Sequence, residues 1–162
     1  MSALFRSLRL LVVVAPLFAF TQAGWAAVDH EQHGEAGKSP ARLTLNQGKP
    51  WATDLPLRKG MELIQRDIQE ALPRIHSGTQ KPKQYADLAN KVHGHVNKLI
   101  KECKLPPEAD AQLHIVLGEM IQGAVAMQDS VLQASGAAKV VHALDLYGRH
   151  FDHPGWTPIP IK

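Results

Sequence analysis

The chain has 162 residues, a net charge of +3 with neutral histidines, and a single cysteine. This length suits one domain, and a lone cysteine excludes an internal disulfide framework. Two of the eighteen Lys and Arg residues, but none of the fifteen Asp and Glu residues, lie in the first 26 positions, so the remaining chain carries only +1. That balance argues against nucleic-acid binding, which needs a basic face.

The N-terminal residues have the pattern of a secretory signal peptide. Arg6 and Arg9 precede an apolar run at 10–20, and small residues follow at 23–27. The run has the length of a signal core and is too short for a stop-transfer helix. We therefore predict cleavage after Ala26, which removes residues 1–26. The mature chain, with no other apolar span, is predicted to be periplasmic.

Residues 27–52 show no apolar period and are interrupted by glycine and proline. His30 and His33 lie among carboxylates in this irregular segment. Two interpretations remain open for them: a loose capture site for a divalent metal, or a solvated leader of the kind common at chain termini.

Apolar residues recur at three- and four-residue spacings in the first half of the region 53–153, which predicts amphipathic helices. The first helix has Asp54 as its N-cap and ends near Gly78. The second opens at Pro82 and stops at Pro106 and Pro107, because proline interrupts a helix but suits the first turn of the next.

The third helix is predicted to begin at Pro107, to keep Val131 on its apolar face and to close at Ser135 and Gly136. The fourth is predicted from about 137 to 151, and residues 154–162 form an extended tail with three prolines. Four such segments with short connections predict an all-α fold, an antiparallel up-down-up-down four-helix bundle.

Bundle cores hold metal ions between facing helices, and two histidines are candidates for such a site. Around the Pro-Pro turn, His95 lies about 12 Å before Cys103 and His114 about 10 Å after Pro107, at 1.5 Å per residue. A His95–His114 pair, with Met120 as a soft partner, could therefore bind a metal. The alternative is two half-buried histidines with ordinary hydrogen bonds.

Three interpretations are open for Cys103. It is a buried small hydrophobe, the cysteine of an intermolecular disulfide in a homodimer, or a soft metal ligand.

Met61, early in the first helix, and His150, late in the fourth, form a second pair. Their placement resembles that of the periplasmic b-type cytochrome bundles, whose haem iron is held by a methionine and a histidine. Absence of C-x-x-C-H excludes covalent c-type haem and separates the chain from the cytochrome c-prime bundles. Haem b is therefore one alternative, and Met61 as core filler is the other.

Motifs of common enzymes are absent from the sequence, including H-E-x-x-H, G-x-S-x-G, the P-loop and G-x-G-x-x-G. No Glu-x-x-His pair of the di-iron type is present either. We predict that the protein is not an enzyme.

Trp51 and Trp156 flank the start of the first helix and the end of the fourth. They are predicted either to close that end of the bundle or to bind another periplasmic protein.

Three strings together resemble a group of small exported proteobacterial proteins, some with a DnrO-like label. They are W-x-T-D-x-x-L-R-x-G-M at 51–61, C-K-L-x-P-x-A-D-x-x-L-H at 103–114, and D-H-P-G-W at 152–156. The resemblance covers nearly all of the mature chain. It implies an exported helical protein, without a particular activity, and draws attention to Met61, Cys103, His114 and His153.

These observations predict a periplasmic, non-enzymatic bundle that binds or handles a transition metal. Copper is favoured because methionine, histidine and cysteine are its preferred donors. The alternatives are a structural or protein-interaction module of the periplasm and a b-type haem protein.

Overall fold

A computed structural model describes residues 42–160 of the chain. The predictions for the signal peptide, for His30 and for His33 concern residues outside this range. Within it lie four helices, α1 (Leu55–His76), α2 (Pro82–Glu102), α3 (Pro107–Gln128) and α4 (Gln133–His150), and no strand. The all-α prediction with four helices is confirmed. None of these helices is long and apolar enough to cross a membrane.

Helix α1 begins and ends where the sequence predicts. Asp54 is its N-cap, with a side-chain oxygen accepting the Leu57 N–H at 2.8 Å. The helix continues through Pro73 to His76. Gly78 then has a φ of +67°, a backbone conformation that favours glycine, and the chain turns towards α2.

Prolines set the boundaries of the next two helices, again as predicted. Pro82 is the first residue of α2, and Pro107 is the first residue of α3. Glu108 and Asp110 occupy the first turn of α3, where their charge is favourable beside the free N–H groups of the helix.

The predicted boundary between α3 and α4 was wrong. Helix α3 ends at Gln128, and α4 already begins at Gln133. Val131, predicted on the core face of α3, lies in the intervening turn and is 87% exposed. The turn is closed by the Asp129 side chain, which accepts the Val131 N–H at 2.8 Å.

Gly136 does not end a helix but lies within α4, opposite Gly123 of α3. A Cβ atom on Gly136 would lie 2.6 Å from the carbonyl oxygen of Gly123, and one on Gly123 would lie 2.7 Å from that of Gly136. Two glycines thus let the backbones of α3 and α4 approach closely. By local preference alone, a serine-glycine pair predicts the end of a helix. Here packing against α3 decides instead that Gly136 is helical.

The core lies between the four helices. Each helix packs on the next one in sequence, and α1 contacts α4 less extensively than α3 does. The predicted apolar stripes supply most of the buried side chains, including Leu57, Met61, Ile64, Ile68, Tyr85, Leu88, Val92, Val96, Leu99, Leu113, Val116, Leu117, Met120, Met127, Val140, Leu144 and Tyr147.

The residues after α4 run along α1. The His153 imidazole contacts Glu62, the Gln65 side chain donates to the Thr157 carbonyl at 2.8 Å, and Ile159 is 8% exposed. Residues 152–160, called the C-terminal segment below, therefore cover part of the side of the bundle between α1 and α4, where the two helices contact each other sparsely.

Candidate functional site

Backbone hydrogen bonds join the chain before α1 to the chain after α4. The Trp51 N–H donates to the His150 carbonyl, and the Asp152 N–H donates to the Trp51 carbonyl, both at 2.8 Å. The Thr53 hydroxyl also donates to the Asp152 carbonyl. Residues 51–54, 103–104 and 151–156 form what we call the closed end, where parts of all three shared strings meet.

Asp54 connects two helices at the closed end. One carboxylate oxygen caps α1 through Leu57, and the other accepts the Lys104 N–H at 2.7 Å. Lys104 follows α2, so a single side chain satisfies backbone donors from two elements. Such charge-assisted bonds are stronger than bonds between neutral groups, which suits Asp54 to hold the ends of α1 and α2 together.

Cys103 lies beside Asp54 and is only partly buried. Burial, followed by the charge of the Asp54 carboxylate, raises the pKa of its thiol from an ordinary 9.0 to about 12. The thiol therefore stays protonated at neutral pH. Because metals and disulfide exchange need the thiolate, this environment disfavours both of the reactive roles predicted for Cys103.

Tyr147, His153 and Glu62 form a hydrogen-bonded chain that fastens the C-terminal segment. The Glu62 carboxylate lies 3.2 Å from His153 Nε2, so this nitrogen donates. Nδ1 of His153 then accepts from the Tyr147 hydroxyl at 2.9 Å. Burial raises the pKa of Tyr147, while the nearby Arg58 opposes that shift, so the phenol remains a neutral donor.

Both tryptophans at the closed end make internal contacts. Trp51 donates its ring N–H to the Thr44 carbonyl at 2.6 Å. Trp156 packs edge-on against Tyr147, with ring centroids 4.9 Å apart. Its ring nitrogen also lies close to Gly148, where a Cβ atom would be only 2.5 Å from it. These contacts favour the interpretation in which the tryptophans close the bundle over the one in which they bind a partner.

His95 has a buried carboxylate as its partner. Its Nε2 lies 3.0 Å from Asp67 on α1, and Lys91 contacts the other oxygen of Asp67 at 3.1 Å. Asp67 is 7% exposed, and burying an unpaired carboxylate there would be costly, so His95 and Lys91 explain how its charge is tolerated. The contacts of His95 are thus with α1.

His114 and His150 have one ring nitrogen each bonded within their own helix. Nδ1 of His114 donates to the Asp110 carbonyl and Nδ1 of His150 to the Leu146 carbonyl, both at 2.8 Å. A carbonyl only accepts, so in the neutral ring Nε2 keeps its lone pair. This is the usual orientation of metal-binding histidines, although it is also common in histidines that bind nothing.

The candidate methionines are core residues. Met61 and Met120 are both fully buried. Neither Met61 nor His150 lines any of the four cavities described in the structure. A haem needs a cavity beside its axial ligands, so these four cavities give no support to the Met61–His150 haem alternative. In the described part of the chain, no three His, Cys, Asp or Glu side chains are grouped to hold a metal ion.

The two largest of these four cavities both border α1. One, of about 290 Å³, lies between α1 and α2 and includes His95. The other, of about 450 Å³, lies between α1 and α4 and is lined mainly by apolar side chains. We call them the α1/α2 cavity and the α1/α4 groove.

Sequence reasoning missed Glu62 and Asp67, which are the carboxylate partners of His153 and His95. Asp67 could have been noticed, since it lies three residues after Ile64 and four before Ala71, on the apolar stripe of α1. Glu62 gives no comparable signal, because it is an exposed acid whose partner is distant in the chain.

No protein-family model, no curated protein and no solved structure matches this chain.

Proposed function

We propose that this chain is an exported, non-enzymatic helical bundle that binds an extended apolar peptide segment of a periplasmic partner protein. The observation that carries the proposal is the α1/α4 groove. It is the larger of the two cavities, and its walls are mainly apolar, with Leu72 and Ile75 from α1 and Ala134, Ala137 and Val141 from α4. Apolar clefts of this size are the usual sites of ligand binding in proteins.

The chain's own C-terminal segment supports this choice of ligand. Ile159 and Pro160 line the groove, and the bond from Gln65 to the Thr157 carbonyl holds the segment in an extended path beside it. The groove therefore already accepts an extended, proline-containing apolar peptide at one end. A partner segment of the same chemistry would continue along the remaining apolar wall.

Exposed apolar side chains also occur directly before α4. Val131 is 87% and Leu132 is 48% exposed, directly before the helix that lines the groove. Val131 and Leu132 are neighbours in the chain, and exposed apolar patches mark sites of interaction.

Antiparallel packing and export belong to the same proposal. The contacts between α1 and α2 pair Asp54 with Lys104 and Asp67 with Lys91, so residue numbers rise along α1 as they fall along α2. Helices α3 and α4 show the same opposite numbering in the pairs Gln122–Lys139 and Glu119–His142. Both observations support the up-down-up-down arrangement. The support for export is the N-terminal sequence pattern.

Peptide display with the purified mature protein tests the groove. We expect it to select peptides with apolar residues and proline, and to lose them when Ala138, an exposed residue of the groove wall, is changed to Glu. Ala111→Glu places the same charge on an exposed position of α3 and should leave binding intact. Failure to enrich apolar peptides, or equal loss in both variants, would refute the proposal.

A second candidate function is copper handling, which is favoured by the orientation of His114. Its side chain is 57% exposed and presents Nε2 as the free nitrogen. Elemental analysis and a visible spectrum of periplasmic protein, compared with His114→Ala, test this candidate. Stoichiometric copper that falls in the variant would support it. A spectrum that stays unchanged on addition of copper(I), copper(II) and haem would remove both metal alternatives.

A further inference from the structure

The α1/α2 cavity combines an apolar wall with a basic rim. Helix α1 contributes Leu55, Gly60 and Leu63, and helix α2 contributes Leu99. The volume of about 290 Å³ is at the small end for ligand sites in proteins, so it suits a small molecule better than a cofactor.

Gly60 determines the shape of the cavity base. A Cβ atom at this position would lie 2.3 Å from a methyl carbon of Leu99, so α1 and α2 approach closely there. Leu99 is 2% exposed and closes the base, whereas Leu55 is 53% exposed at the mouth. An apolar ligand would therefore extend from the exposed Leu55 towards the Gly60–Leu99 contact.

The two lysines at the rim outnumber its one acid. Lys59, Lys98 and His95 line the cavity, and Glu102 is its one acid. Lys98 and Glu102 are 3.9 Å apart and more than half exposed, so their pairing is weak. Lys59 forms no ion pair with any residue in the range 42–160.

His95 has a fixed orientation at this rim. Asp67 holds its Nε2 at 3.0 Å, and the His95 side chain is 23% exposed. The charge of Asp67 is also neutralised by Lys91. The buried carboxylate thus orients the imidazole without making the rim acidic.

We propose that the α1/α2 cavity binds a small monocarboxylate with an apolar body of about eight carbons, a size that suits a cavity of about 290 Å³. Lys59 and Lys98 attract the carboxylate, and Leu55, Leu63 and Leu99 cover the apolar body. This site is separate from the α1/α4 groove, so it stands or falls independently of the proposed function. For a ligand with so few atoms we expect a dissociation constant of about 0.1 to 1 mM.

Titration with octanoate, followed by amide NMR of the mature protein, tests the proposal. We expect saturable shifts at Gly60 and Leu99, and no comparable binding of octylamine, which has the same apolar body with a positive charge. Lys98→Glu should weaken octanoate binding about fivefold, as expected when one exposed ion pair is lost and its charge reversed.

Lys101→Glu is the matched control, because Lys101 is an exposed lysine of α2 outside the cavity lining. It makes the same change in net charge and should leave octanoate affinity within about twofold, the size of a screened long-range effect. Absence of saturable shifts, equal binding of octylamine, or equal weakening in the two variants would overturn the proposal. Ala138→Glu should leave octanoate binding unchanged, which separates this result from that of the groove.

Discussion

The closed end and the opposite end of the bundle are held by different means. At the closed end, hydrogen bonds join residues far apart in the chain, such as Thr53 with Asp152 and Asp54 with Lys104. At the end formed by residues 77–82 and 129–133, which we call the open end, the bonds are mostly local. Asp129 bonds its own turn, and the bond from Gln133 to the Pro82 carbonyl is 3.5 Å long.

Nearer the open end, helices α3 and α4 are held by close backbone packing at Gly123 and Gly136. This packing uses no polar side chain, and Val131 and Leu132 in the turn between the two helices are exposed. We infer from the difference that the closed end contributes more to the stability of the fold; the binding of a partner segment near the open end remains part of the proposed function. Regions with few long-range bonds also open at lower free-energy cost.

Gly136→Ala should cause the largest loss of stability, since it acts on the contact between α3 and α4. The new Cβ would meet the Gly123 carbonyl and the Met127 backbone nitrogen, both at 2.6 Å. Backbone atoms cannot move aside as a flexible side chain can, so we expect about 3 kcal/mol of destabilisation. Urea unfolding measures it.

Gly118→Ala is the control for that variant. Nothing lies within 4 Å of a Cβ at Gly118, so alanine should stabilise α3 by about 0.5 to 1 kcal/mol through its higher helix propensity. Equal effects of the two substitutions would show that the glycine contact is not what joins α3 to α4.

Asp54→Ala tests the closed end and should cost about 2 to 3 kcal/mol, because the α1 cap and the acceptor for Lys104 are lost together. Asp129→Ala removes a similar carboxylate–backbone bond from the open end and should cost about 0.5 to 1 kcal/mol. Unfolding free energies of the two variants compare the ends directly. Equal losses would contradict the idea that one end stabilises the fold more than the other.

Tyr147→Phe keeps the buried ring and removes only the hydroxyl that donates to His153. We expect a loss of about 1 to 2 kcal/mol, because a buried hydrogen-bond acceptor is left unsatisfied. Tyr85→Phe is the control, since Tyr85 is 6% exposed and its hydroxyl bonds to no other residue in the described range. It should change stability by less than about 0.5 kcal/mol. If Tyr85→Phe loses as much stability as Tyr147→Phe or more, the Tyr147–His153 bond contributes little.

Cys103→Ser should have the smallest effect at neutral pH and a measurable one in alkali. The unfolded thiol ionises near 9.0 but the folded thiol only near 12, so the unfolded state is favoured as pH rises between these values. The wild type should therefore lose stability from about pH 9 upwards more steeply than the serine variant, which has no such ionisation. Parallel stability curves for the two proteins would show that Cys103 is not in the environment described.

Sequence reasoning predicted those elements whose signals are local. Asp54 caps α1 through a residue three positions away, and Pro82 and Pro107 begin helices because proline lacks the donor that a first turn does not need. The apolar stripes were visible for the same reason, since a helix repeats every 3.6 residues. Gly136 was misinterpreted because its conformation depends on Gly123 in another helix.

Among the candidate site residues, the sequence identified residue types but not their partners. His95 was predicted beside the apolar stripe of α2, and only packing of α1 against α2 brings Asp67 to it. For Cys103 the sequence allows three interpretations, because the raised pKa of its thiol depends first on burial and then on Asp54, which is distant in the chain.

The sequence by itself thus determined the number of helices, most of their ends and most of the core residues, because each follows from contacts within a few positions. Tertiary structure alone decided that three distant strings meet at the closed end, that Asp67 and Glu62 hold histidines, and where the cavities lie. Those features depend on distances between residues that are far apart in the chain, and such distances exist only once the helices have packed.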